Sequence, residues 1–220
     1  MTSLPLSRSY RCVLGAPTLD AVDPGIFALR YFARCMACGF CKDQCCSYGV
    51  DIDAANADAL SHLGADFEDL VGAPREAWFI AETFEDPEFP SGRYTRTQVR
   101  GDHCVFHDGE GRGCKIHAYC ASRGLDYRRY KPLVSILFPL TFDYGRLGPS
   151  SEALDGSLIC SGDGPSLYDG GRAELAYFFG EELVIELDGL CERLRTLSGP
   201  TRGACDGGAA PAIRYKARTR

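Results

Sequence analysis

Apolar positions along this chain fall mostly into short runs, and one long periodic stretch stands apart from them. Leu175, Phe179, Leu183, Leu187, Leu190, Leu194 and Leu197 recur in steps of three and four. That spacing predicts a helix from Arg172 to Leu197 with one apolar face packed on a core. Asp53 is placed to cap a helix over AANADALSHL that ends at Gly64, and DFEDLV reads as a second short helix. Lys115–Arg123 predicts one or two helical turns stopped by Gly124, and residues Thr18–Arg34 read as partly helical, restarting at Pro24-Gly25. The alternating, β-branched stretch RYTRTQV (Arg93–Val99) predicts a strand, with HCVFH pairing nearby and DGEGRG turning the chain before Cys114. LVSILFPLTF (Leu133–Phe142) reads as a buried strand interrupted at Pro139, and the acidic, proline-rich Glu85–Gly92 as a loop.

These elements predict an α+β fold: a small irregular metal-organised domain with short helices, a few antiparallel strands and a long C-terminal helix. It is expected to be one domain over residues 1–197, followed by a flexible basic tail over 198–220. A length of 220 residues, with 45% apolar and 25% charged side chains, suits one ordinary core or two small ones. No apolar run approaches the roughly 18 residues of a membrane span. The opening MTSLPLSRSYRCVLGAPTLD lacks the continuous apolar core of a secretory signal. The expectation is a cytoplasmic protein with no membrane partner. A net charge of −6 argues against general nucleic-acid binding, which calls for a broad positive surface. The tail differs: Arg202, Arg214, Lys216, Arg218 and Arg220 face only Asp206, which reads first as a solvated tail and second as a contact for RNA or an acidic partner.

Cysteine changes the picture most. The chain carries twelve, and five of them fall in CMACGFCKDQCC, from Cys35 to Cys46. In a reducing compartment clustered thiols bind metal more readily than they crosslink. Cys38, Cys41, Cys45 and Cys46 spell C-x2-C-x3-C-C, and a C-x2-C pair lets a short loop present two sulfurs to one metal ion. The side chains of Cys45 and Cys46 diverge, so two adjacent centres or one extended cluster fits better than a single four-sulfur site. Cys104, Cys114, Cys120 and Cys160 bring the candidate ligands to eight thiols. His103, His107 and His117 lie among them, and Cys104 to His117 reads C-x2-H-x6-C-x2-H, a set able to bind zinc through two sulfurs and two imidazoles. The metal expected is zinc or an iron–sulfur cluster, and spacing alone does not choose between them. Cys12, Cys191 and Cys205 read as packed thiols, Cys35 as either a spare ligand or a packed neighbour, and His62 as a surface or capping residue. DGEGRG has no Gly-Lys-Ser/Thr ending and is not a phosphate loop. No residue is marked as catalytic.

The C-x2-C-x3-C-C run resembles the signature of the YkgJ-like cysteine-cluster family of zinc- or iron-chelating domains. The resemblance continues through Cys104, Cys114-Lys115-Ile116-His117, Lys131-Pro132 and Phe138-Pro139, over about Arg34 to Cys160. Ser135 stands where members of that family usually carry a cysteine, and a neutral hydroxyl replaces thiolate poorly, so Cys120 or Cys35 is the candidate substitute. The resemblance implies metal chelation without a defined biochemical role. Flagellin lysine N-methylases are similar in carrying a related cluster, which makes an iron–sulfur redox or protein-modifying enzyme one alternative. A metal chaperone or interaction module using the basic tail is the other. Likeness of a cluster does not by itself transfer a reaction.

Overall fold

The computed structural model describes residues 3–33, 40–109 and 112–198. In chain order the first elements are β1 (Leu4–Arg11), β2 (Thr18–Val22), α1 (Gly25–Ala28), β3 (Arg30–Tyr31), β4 (Asp51–Asp53), α2 (Ala54–Ser61) and α3 (Ala65–Val71). Then come β5 (Phe84–Glu85), β6 (Arg93–Arg96), β7 (Val99–Arg100), β8 (His103–Cys104), α4 (Lys115–Arg123) and α5 (Leu133–Leu137). The last are β9 (Leu140–Asp143), β10 (Arg146–Pro149), α6 (Ser151–Asp155), β11 (Ser161–Ser166), α7 (Leu167–Phe179) and α8 (Glu181–Ser198). The fold is mixed α+β, with small sheets, short helices and a long helix at the C-terminal end. Among the described residues no helix is long and apolar enough to cross a membrane.

The described residues form two compact units. The first combines 3–33, 87–90 and 137–198, and the second takes 40–86 and 91–136 apart from 110–111. In the first unit a four-stranded sheet runs β1-β2-β10-β9. Its β1/β2 and β9/β10 pairs are antiparallel, whereas β10 joins β2 in parallel. Thr18–Val22 is therefore a strand where helix was expected. Leu19 and Val22 are fully buried in its pairing, and sheet partners outweigh a weak local preference. Pro24-Gly25 does restart a helix, with Pro24 at the N-cap of α1.

Two further expectations are corrected in this part of the chain. The periodic stretch expected as one helix is two, α7 and α8, parted at Gly180 (φ +90°). A side chain rarely adopts that backbone, and Glu181 and Glu182 restart the helix with negative charge in its first turn, where the dipole favours it. The apolar period continued through the break because both helices bury the same kinds of residue: Leu175 and Phe178 on α7, Leu183, Val184 and Leu187 on α8. LVSILFPLTF likewise divides into α5 and β9 around Phe138-Pro139. Pro132 begins the helix, its carbonyl accepting from Ser135 and Ile136, and Pro139 cannot donate to continue it.

The second unit packs Ile52, Leu60, Phe67, Trp78, Phe106, Ile116 and Tyr119 into one core. Phe67 meets Trp78 edge-on at 5.4 Å, and Trp78 meets Phe106 edge-on at 5.5 Å, arrangements favoured by the ring quadrupoles. Trp78 Nε1 donates to Ala73 O at 2.8 Å, so the buried indole leaves no donor unsatisfied. Local signals held well here. Asp53 Oδ1 accepts from Ala55 N at 2.9 Å and caps α2, α3 covers DFEDLV, and α4 runs from Lys115 to Arg123 with Gly124 as its cap. β4, β6 and β5 form a three-stranded antiparallel sheet, and β7 pairs with β8 as a small hairpin.

Candidate metal centre

The cysteine segment enters the second unit through two tight turns. Gln44 N donates to Cys41 O at 3.1 Å and Cys46 N to Asp43 O at 2.8 Å, the second opening a single 3₁₀ turn over Gln44–Cys46. Lys42 and Asp43 both have left-handed backbone, at φ 48° and 54°, an uncommon state for residues other than glycine. The segment then lies against the end of β6. Val50 N donates to Thr97 Oγ1 at 2.9 Å and Thr97 N to Val50 O at 2.9 Å. At Gly49 a Cβ would stand 2.6 Å from Thr97 O, so only glycine permits this approach.

Thr97 also meets the next cysteine, for the Cys104 thiol lies 3.3 Å from its Oγ1. Cys104 is on β8, His107 N donates to Cys104 O at 2.8 Å, and His107 bridges Cys114 across the following turn. Cys114 is the N-cap residue of α4, and Cys120 is fully buried on that helix. Sulfurs from three separated segments thus come within electrostatic reach of one another. Hydrogen bonding between Cys45 and Cys46 lets them share a proton: Cys45 falls to about 7 while Cys46 is pushed up by that bond, by burial and by charge on Cys45, Cys114 and Cys104. Burial raises Cys104, with Cys114 adding to the effect, and burial pushes Cys120 up to about 11, again with Cys114 contributing.

Asp43 ties the cysteine turn to the hairpin that carries Cys104 and Cys114. Its side chain is only 8% exposed. Arg112 Nε donates to Oδ2 at 2.8 Å, Arg112 Nη2 to Oδ1 at 2.5 Å, Gly113 N to Oδ2 at 3.0 Å, and His107 Nε2 lies 3.3 Å from Oδ2. Burial alone would raise this carboxyl, but the bonds from Arg112, Gly113 and His107 bring it down to about 2. The same Arg112 Nη2 donates to Cys41 Sγ at 3.2 Å. Neither Asp43 nor Arg112 was among the candidate residues. The available signals were an aspartate inside the cysteine run, where αL backbone is tolerated, and an arginine in the turn that faces it.

Cys41, Cys45, Cys46, Cys104, Cys114 and Cys120 belong to the second unit, and Cys160 to the first, where its carbonyl accepts from Phe32 N at 2.8 Å just before β11. Cys35, Cys38 and Cys205 lie outside the described residues. The array from Cys104 to His117 is divided in its bonding: His107 faces Asp43 and stacks on His103 at 4.2 Å, and His117 packs at a tilt against Tyr127 at 4.3 Å. Among the described residues no group of three or more His, Cys, Asp or Glu side chains is arranged to hold a metal ion. Cys12 is a packed thiol raised to about 11 by burial, as expected, and His62 is an exposed residue at the C-cap of α2. Cys191, expected as a free packed thiol, is buried on α8 and disulfide-bonded. The chain matches no family model, no curated protein and no solved structure.

Proposed function

We propose that the second unit is a thiolate metal centre, for zinc or an iron–sulfur cluster, that organises the fold around it. Cys38, Cys41, Cys45, Cys46, Cys104 and Cys114 would supply the ligands, with Cys120 adjoining. One observation carries the reading: Thr97 Oγ1 accepts both from the Cys104 thiol and from Val50 N just after the cysteine run, and charge on Cys104 and Cys114 reaches Cys46. Deprotonated together, these sulfurs would repel one another, and a bound cation would relieve that repulsion. The donor chemistry fits soft or borderline metals, as does the resemblance of the cysteine spacing to YkgJ-like domains. When bound, the metal would supply cross-links between segments, so that binding free energy becomes folding free energy. The chain's own residues present sulfur on a strained turn, on a short hairpin and at a helix start.

Metal and acid-labile sulfide analysis of protein purified without oxygen tests this. Stoichiometric zinc, or iron with sulfide, is the expected result, and it also distinguishes the two metals. Protein that takes up neither ion, as purified or after reconstitution, would overturn the reading.

A further inference from the structure

The first unit carries a cleft of about 430 Å³ where the end of α1, the start of β3, α6 and the start of β11 meet. All of its lining residues belong to that unit. Ala28, Leu29, Ala153 and Leu154 supply apolar wall, and Leu154 is left 60% exposed. The size suits a small organic ligand. Gly156 and Gly162 complete the wall without side chains, and a Cβ at either would meet nothing within 4 Å, so the space beside them is open.

Arg30 is the cleft's cation, and close backbone packing puts it there. β3 pairs antiparallel with β11, with Arg30 opposite Ser166. A Cβ at Gly164 would stand 2.1 Å from Tyr31 O, so only glycine lets the two strands approach this closely. The Gly164 carbonyl then accepts from Arg30 Nη1. Among the described residues no carboxylate pairs with this half-buried guanidinium. Charge withdrawn from water is normally paired, and the guanidinium fork matches a carboxylate in geometry. Asp155 also lines the cleft, but its Oδ1 accepts from Ser157 N at 2.8 Å.

We propose that this cleft binds a small aliphatic monocarboxylate, with its carboxylate on Arg30 and its hydrocarbon against Ala28, Leu29 and Leu154. The site needs no metal and stands apart from the metal-centre reading. The ligand covers apolar wall that is otherwise left to water, and its charge supplies the guanidinium with a partner. A second negative charge on the ligand would share the cleft with Asp155, which selects against dicarboxylates.

Sodium hexanoate is the probe, titrated into isotope-labelled full-length protein and followed by amide chemical shifts. The amides of Leu29, Arg30, Gly156 and Gly162 should move along one saturable curve. Hexanamide, which keeps the chain and loses the charge, should bind about 10–100-fold more weakly, and so should hexanoate to Arg30→Gln. Adipate, with a carboxylate at each end, should bind more weakly than hexanoate. Ala28→Phe fills the cleft from an exposed position and should abolish the response; it supplies the comparison if Arg30→Gln does not fold. Wild-type protein without saturable shifts at these amides overturns the proposal. Equal affinity for hexanamide, or unchanged affinity in folded Arg30→Gln, overturns the carboxylate's seat on Arg30. Binding that survives Ala28→Phe places the ligand elsewhere and overturns the cleft.

Discussion

The Asp188 carboxylate on α8 takes hydrogen bonds from Tyr168 Oη at 2.6 Å and from Arg172 Nη2 at 2.7 Å, both on α7. Burial opposes its ionisation, but the bonds from Arg172 and Tyr168 hold the carboxyl below its ordinary range. The stabilisation is fully present above the unfolded-chain value of about 3.9 and is lost as pH falls through the lower folded value. Asp188→Asn should flatten that acid-side loss, read as melting temperature against pH. Tyr168 is fully buried, and its hydroxyl oxygen also lies 3.1 Å from Val184 O. Tyr168→Phe should destabilise by about 1 kcal/mol, since the partly exposed carboxylate can turn to water instead. Residues of this kind are poorly legible in sequence. Glu181-Glu182 and Asp188 look alike there, and only the tertiary structure bonds Asp188 to Tyr168 and Arg172 and pairs Glu182 with Arg8. Asp43 and Arg112 were missed for the same reason, because their partners lie 69 residues apart.

Elements were legible where their causes are local. Asp53 announces α2 because a side-chain acceptor two and three residues before orphan N–H groups caps them without help from elsewhere. Its Oδ2 also accepts from Ser91 N at 2.7 Å, so one carboxylate joins the start of α2 to the turn before β6. Asp53→Ala should cost about 1–2 kcal/mol in chemical denaturation, and Asp53→Asn less, because the amide still caps. The misread elements share another cause. Thr18–Val22 and Leu133–Phe142 are short apolar stretches that local preference cannot assign, and sheet pairing and a proline decided them. The α7–α8 break was hidden by a period that both helices obey.

At the scale of the whole molecule, each unit has its own buried side chains, and six of the described cysteines fall in the second. Trp78→Ala should destabilise by about 3–5 kcal/mol, since it empties a fully buried site among Phe67, Phe106 and the Ala73 carbonyl. If metal organises the second unit, its removal should act locally. Hydrogen exchange on metal-free protein should show lost protection over 40–109 and 112–136, with α7 and α8 retained. Equal loss in both units would count against a local centre.

Sequence alone determined the mixed α+β class, the helix capped by Asp53, the helix stopped by Gly124, the turn before Cys114 and the concentration of thiols, because each depends on residues within a few positions of one another. Only the tertiary structure decided that Thr18–Val22 is a strand, that charge on Cys104 and Cys114 reaches Cys46, and that Asp43 holds Arg112 against Cys41. Those outcomes depend on burial and on charges brought close from distant segments, and the strength of such interactions is set by separation in space rather than along the chain.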